Sequence, residues 1–208
     1  MKEIKNNCYK GTKILLGNQK HNYLNTCAVG LIRSGFIKIE IPIINPYSTF
    51  ENKVGPENNN MMYRFTDRGD RDICLAPEYT SVIQSLSENY FKNNKDIKLF
   101  YIQQCFRGEK PQAGRYREFT QLGVEILNPT KDWTEELIFL ADGLIKNWNS
   151  NIKTNINRNT SRGLSFYNED KGFEISCDLL GSSKQICGGG SYKDGVGFAL
   201  GIDRIIIL

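Results

Sequence analysis

The residues able to do chemistry crowd between Tyr101 and Leu127, YIQQCFRGEKPQAGRYREFTQLGVEIL. Arg107, Glu109, Lys110, Arg115 and Arg117 gather around a loop with Gly and Pro, and the segment that follows alternates. Its odd positions are Arg117, Phe119, Gln121, Gly123 and Glu125; its even positions are Glu118, Thr120, Leu122, Val124 and Ile126. Side chains on a strand alternate faces. One face is therefore mostly apolar, and the other carries a ring, an amide, a bare glycine and a carboxylate in a row. By pattern alone this is equally the solvated face of a half-buried sheet.

Composition narrows the chemistry. His21 is the only histidine, which argues against Ser-His-Asp and Cys-His nucleophiles. The six cysteines form no C-x-x-C pair, so reduced thiols are expected rather than a structural zinc site. Carboxylates, arginines and bound phosphates must carry whatever chemistry there is. The net charge of +4 permits a polyanionic partner without demanding one. No run approaches the ~18 apolar residues of a membrane helix, and the basic N-terminus lacks the pattern of a secretory signal.

Flanking elements must position these residues. Asn22–Ser34 reads as a helix with Leu24, Cys27, Ala28, Leu31 and Ile32 on one face, ended by Gly35. Phe36–Ile41 alternates as a strand that Pro42 closes. Residues 43–60 read as a mobile, Asn-rich loop. Met62–Phe65 and Ile73–Leu75 read as short strands about the turn at Asp67–Asp70. Pro77 favours a helix start, so Glu78 and Thr80 fall at the entry to a helix over Thr80–Leu86. Lys98–Phe106 and Arg117–Leu127 form a hairpin with a connection longer than the roughly 2–5 residues of a tight one. Trp133–Trp148 is a second amphipathic helix, with Asp132 as N-cap and Glu135 completing a capping box. Asn149–Ser161 reads as a connector, Phe173–Leu180 and Val196–Leu200 as strands, and Asp203 onward as a short helix. Consecutive strands with a few helices to one side predict an α+β fold, a mainly antiparallel sheet flanked by helices, in one domain over residues 1–208.

Five segments, in order, resemble the class II aminoacyl-tRNA synthetases of the histidyl type. FRGEKPQAGRYREFTQLGVEIL resembles their second signature motif, and GFIKIEIPIINP the first. LAPEYTS and RGLSFY resemble histidine-specific segments, and GGGSYKDGVGFALGIDR the glycine-rich run fused to the third motif. The resemblance implies the class II catalytic fold and the ATP-dependent activation of histidine, followed by its transfer to the 3′ end of tRNA. It assigns Arg107 to the α-phosphate, Glu109 to the adenine and metal end, and Arg115 and Tyr116 to the triphosphate. Phe119 would stack under the adenine, and Arg204 over its other face while touching the γ-phosphate. Arg162 would stand between the histidine carboxylate and the α-phosphate, completing a catalytic set with Arg107 and Arg204. Glu78, Thr80 and Gln121 would hold the α-amino group, Glu125 and Tyr167 would read the imidazole, and Gly123 would leave room for the substrate.

The same resemblance implies ATP with Mg2+, the metal arriving with ATP and Glu109 a possible contact. It also implies a homodimer through about Gly35 to Pro46, a cytoplasmic and membrane-free setting, and contact of the 108–114 loop with the tRNA acceptor end. Lys2, Lys5, Lys10, Lys13 and Lys20 would touch tRNA phosphates, or simply form a solvated tail. Against the family spelling, Ser165, Phe166, Asn168, Glu169, Ala76 and Tyr79 depart. The short interval over 128–161 and the stop after Arg204 predict that the insertion and anticodon-binding domains are absent. Two other functions share the resemblance: a histidine-binding regulatory subunit of the ATP phosphoribosyltransferase type, and an adenylating enzyme that loads an acceptor other than tRNA.

Overall fold

The computed structural model describes residues 18–55, 59–110, 112–161, 167–181 and 183–208, with the backbone of 2–3 and 13–14. The first elements are β1 (Lys2–Glu3), β2 (Lys13–Ile14), α1 (Gln19–Arg33), β3 (Ile37–Lys38), β4 (Ile44–Pro46), β5 (Arg64–Thr66), β6 (Asp72–Leu75) and α2 (Thr80–Asn89). Then follow β7 (Ile97–Phe106), β8 (Glu118–Leu127), α3 (Thr134–Trp148), β9 (Asn155–Thr160), β10 (Tyr167–Ser176), β11 (Gln185–Tyr192), β12 (Gly195–Gly201) and α4 (Ile202–Ile205). Seven strands make the main sheet in the order β3-β7-β8-β12-β11-β10-β9. Only the β3–β7 ladder is parallel. A three-stranded sheet, β4-β6-β5, stands apart from it. The expected α+β architecture is therefore present.

Alternation along β8 sorts the two faces. Leu122, Val124 and Ile126 point into a core shared with Tyr23, Cys27 and Leu31 of α1 and with Leu137, Ile138, Ala141 and Ile145 of α3. On the opposite face Leu99, Tyr101 and Cys105 of β7 pack with Tyr79, Ile83 and Tyr192. Helix α1 ends as its sequence predicts. Gly35 takes φ 83°, and the amides of Gly35 and Phe36 bond back to Ile32 and Leu31, closing a Schellman turn.

Several expectations need correction. Helix α1 starts at Gln19 rather than Asn22, and Ile32 faces outward, 56% exposed. Of residues 43–60, 56–58 lie outside the described residues, and 43–55 are no loose loop: β4 and a 3-10 turn at Tyr47–Thr49 lie within them, and Tyr47, Phe50 and Val54 are buried. Their apolar spacing carried that signal beneath the asparagines. Asp132 accepts the Thr134 amide at 2.8 Å, but Glu135 completes no capping box. Its carboxylate is forked by Arg158 at 2.7 and 2.9 Å, and that tie fastens β9 to α3. The connector at 149–161 contains β9, an edge strand whose polar sequence reflects one-sided exposure. Lys20 is turned inward, its side chain 18% exposed, and so is no part of a solvated tail. Lys5 and Lys10 lie outside the described residues, and only the backbone is described at Lys2 and Lys13.

The glycine-rich run is itself strand β11. Four glycines, one in β8, two in β12 and Gly189 in β11, are explained by what lies across the ladder. Tyr101 pairs with Gly123, Glu125 with Gly197, and Tyr192 with Gly195. In each case a Cβ on the glycine would collide with the partner's side chain, which lies flat over the bare backbone. Phe173 uses Gly189 in the same way on the opposite face. Strand glycines mark such close approaches. Gly197→Ala is expected to cost about 1–3 kcal/mol through overpacking. Gly143→Ala, in α3 with open space around it, should gain up to about 1 kcal/mol. Urea unfolding of the two variants checks both signs.

Candidate functional site

The site face is built row by row from the strand register. One row runs Leu99, Glu125, Gly197, Gly190, Gly172; the next runs Tyr101, Gly123, Ala199, Gly188, Glu174. Beyond them stand Gln103 with Gln121, then Cys105 with Phe119. The amide, carboxylate and ring noted in the sequence thus share one face, with the first turn of α2 beside them.

Glu125 is the centre of one end. It is 1% exposed. A carboxyl so placed needs donors, because burying an unsatisfied one costs several kcal/mol. Thr80 Oγ1 donates to Oε1 at 2.9 Å and Tyr192 Oη to Oε2 at 2.8 Å. Burial still pushes the Glu125 carboxyl up to about 8, against the lowering effect of the two hydroxyls. Glu78, also buried, accepts the Ser81 amide at 3.2 Å on each oxygen. Burial raises its pKa, while Arg107 pulls the other way. Gln121 Oε1 accepts from Tyr101 Oη at 3.1 Å and from Cys105 Sγ at 3.4 Å. Tyr101 meets Tyr79 edge-on, ring centroids 5.2 Å apart.

Cations crowd the other end. Arg107 Nε donates to the Pro77 carbonyl at 2.9 Å, and its guanidinium lies 5.2 Å from the Phe119 ring centre. Arg115 pairs with buried Glu109, and Arg117 Nε donates to the Glu109 carbonyl at 3.2 Å. Tyr116 is buried. Arg204 reaches the carbonyls of Ser183 and Gln185 and the Ser183 hydroxyl. Its pKa is lowered by burial first, then by the neighbouring charges of Arg115 and Arg107, with Glu174 opposing. Arg204 therefore lies within electrostatic reach of both Arg107 and Arg115, an arrangement suited to an oxyanion. Gly114, at φ 71°, lets the loop settle against Arg204 and Ile207. Among the described residues no three His, Cys, Asp or Glu side chains gather as a metal site.

Residues 19–141 match the family model described as histidyl-tRNA synthetase. The chain belongs to the histidyl-tRNA synthetase family. Over 123 residues it is 37% identical to the histidine–tRNA ligase of Methanococcus vannielii, a match covering 58% of this chain and 29% of that protein. The chain spans about a third of the length of the curated relatives it matches. A crystal structure of apo histidyl-tRNA synthetase from S. aureus is similar over 100% of this chain and 70% of that one, at 25% identity and a TM-score of 0.72. A structure titled as an ATP phosphoribosyltransferase regulatory subunit/histidyl-tRNA synthetase from Bacillus halodurans covers 95% of this chain and 81% of that one. Its TM-score is 0.76 at 15% identity, a likeness of fold. The fold is the class II synthetase catalytic fold.

Of the residues that the histidyl-tRNA synthetase resemblance singled out, Thr80 and Glu125 are bonded at one end, Glu78 lies in electrostatic reach of both Glu125 and Arg107, and Gln121 stands two rows along the same face. Arg107, Glu109, Arg115, Tyr116, Phe119 and Arg204 belong to the other. Arg162 lies outside the described residues, and of Tyr167 only the backbone is described, paired with Tyr192. The space above Gly123, expected to be open, is filled by the Tyr101 ring. Tyr192 was overlooked because its glycine-rich run did not read as a strand; placed in β11, its register puts it on the Glu125 side. Tyr101 shares the alternation of β7 and was visible from it.

The raised Glu125 carboxyl makes stability depend on pH. Its ordinary value is 4.5, and the native state holds the proton up to about 8. The contribution is complete below the unfolded value and is lost as pH rises through the folded one. Urea unfolding from pH 5 to pH 9 should show wild type losing more stability than Glu125→Gln, by an amount on the order of a few kcal/mol. Parallel profiles would contradict the buried-acid account.

Proposed function

We propose that this chain activates histidine with ATP and passes it to the 3′ end of a tRNA. The observation that carries the reading is the joining, on one sheet face, of a hydroxyl-clamped buried acid at one end and, at the other, Arg204 in electrostatic reach of Arg107 and Arg115. Glu125 would meet the imidazole, with Thr80, Gln121 and Glu78 at the α-amino group and Tyr167 at the second ring nitrogen. A neutral imidazole entering beside a protonated Glu125 can take its proton, giving a buried ion pair without exchanging a proton with solvent.

Activation is an in-line displacement. A carboxylate oxygen of histidine forms a bond to the α-phosphorus, the bond to the bridging oxygen breaks, and its electron pair leaves with pyrophosphate. The protein needs no base or covalent nucleophile; it supplies position and positive charge. Arg107 and Arg162 would act at the α-phosphate, Arg115 and Tyr116 along the triphosphate, and Phe119 and Arg204 on the two faces of adenine. The guanidinium trio suits a triphosphate. Magnesium would enter on the phosphates and neutralise part of their charge, and Glu109 would have to part from Arg115 to meet it. The 108–114 loop would face the acceptor end. A histidine-sensing regulatory role would use the Glu125 end alone and leaves the arginines without work, so the ligase reading is preferred.

The apolar side chains of Val29, Ile32, Ile37 and Ile44 are 47–60% exposed, on α1, the edge strand β3 and β4. They support a homodimer through the Gly35–Pro46 region. The family and the absence, among the described residues, of a helix long and apolar enough to cross a membrane suit a cytoplasmic setting.

ATP–pyrophosphate exchange across the twenty amino acids should respond to histidine. Arg107→Ala should lower it about 100-fold or more, and Glu125→Gln should raise the histidine KM at least tenfold. Exchange with no amino acid would remove the ligase reading. Sedimentation velocity should give a dimer that Ile44→Glu shifts towards monomer.

A further inference from the structure

Arg204 sits on α4, a helix of four residues. One turn cannot hold its own geometry in water, so something else must fix the guanidinium. Where β12 gives way to α4 the ladder on that side of β8 also runs out: Gly201 pairs with Gln121, and β12 has no residue opposite Thr120, whose other neighbour is Gln104 of β7. The Thr120 amide would be an orphaned donor, which buried backbone rarely tolerates. Asp203 fills the gap. Its carboxylate, 2% exposed, accepts the Thr120 amide on Oδ2 at 2.6 Å. Its Oδ1 faces Lys20 Nζ at 3.3 Å, and the same ammonium donates to Thr120 Oγ1 at 2.8 Å. Thr120 Oγ1 also lies 3.4 Å from Gln104 Oε1.

Three elements thus meet at one ion pair: the first turn of α1, the β8 residue between Phe119 and Gln121, and the residue before Arg204. A buried ion pair adds little net stability, because both charges leave water. Its geometry is specific, however, and removing one partner strands the other. We propose that Lys20 is a positioning residue for the ATP end of the site: through Asp203 it fixes the turn that carries Arg204. The polar partners of Lys20 are Thr120 and Asp203, so its effect on Arg204 runs through the Asp203 carboxylate. The inference rests on the ligase reading for its kinetic consequence, but its structural part stands without it.

Two measurements on the full chain separate these parts. Amide hydrogen exchange in the absence of ligand should show Lys20→Met losing at least tenfold protection at Thr120 and across 202–206, with β10 and β11 unchanged, and Lys20→Arg recovering most of it. In histidine-dependent ATP–pyrophosphate exchange, Lys20→Met should raise the ATP KM about tenfold and leave the histidine KM within twofold, again with recovery in Lys20→Arg. Unchanged protection in Lys20→Met overturns the proposal. So does protection lost evenly over the whole chain, which marks general unfolding, or an ATP KM that stays at the wild-type value. A wild type without exchange activity removes the ligase reading instead, and the hydrogen-exchange comparison then decides the positioning role alone.

Discussion

A carboxyl group with almost no access to solvent, in the middle of a sheet face, is the constraint on which the rest of the site depends. Glu125 can stay there only because two hydroxyls reach it from different parts of the chain. Thr80 comes from the start of α2 and Tyr192 from the end of β11, so the helix and the glycine-rich strand are held to β8 by the same acid. Neither hydroxyl offsets burial fully, and the acid remains proton-loving. Under the proposed reading, an imidazole is a ligand able to share that proton.

The opposite end follows the reverse logic. There Arg204 is held near the like charges of Arg115 and Arg107, which add to burial in disfavouring its charge. Arg107 and Arg204 compensate partly by donating to backbone carbonyls, and Arg115 by pairing with Glu109. These are bonds that a phosphate can replace. The two ends therefore differ in kind: one is a buried acid with a hydroxyl on each oxygen, and the other gathers guanidiniums held by backbone carbonyls and one carboxylate.

Much of this was legible in residue order. The hairpin, both long helices and the polar face of β8 follow from periodicity, and the family follows from spelling; the site roles proposed for its residues rest on that same spelling. What escaped has physical reasons. Strand β11 was hidden because glycine has little intrinsic preference for a strand, and the side chains that justify it sit on neighbouring strands. Strand β9 was hidden because an edge strand need not alternate. Tyr47, Phe50 and Val54 were masked by surrounding asparagines, although their spacing was apolar. The inward turn of Lys20 could not be read at all: a lysine near a chain's basic start looks like surface until its partner, 183 positions away, is known.

The cross-strand glycines carry a consequence for how such a pocket could change. Its walls are flat-lying side chains, Tyr101, Glu125 and Tyr192, each resting on a residue that has no atoms left to remove. Trimming one of those rings takes a single substitution. Adding bulk beneath them is closed off, because any side chain on Gly123, Gly195 or Gly197 strikes its neighbour. Size at these three pairs can therefore drift only one way, towards smaller side chains over the same bare backbone.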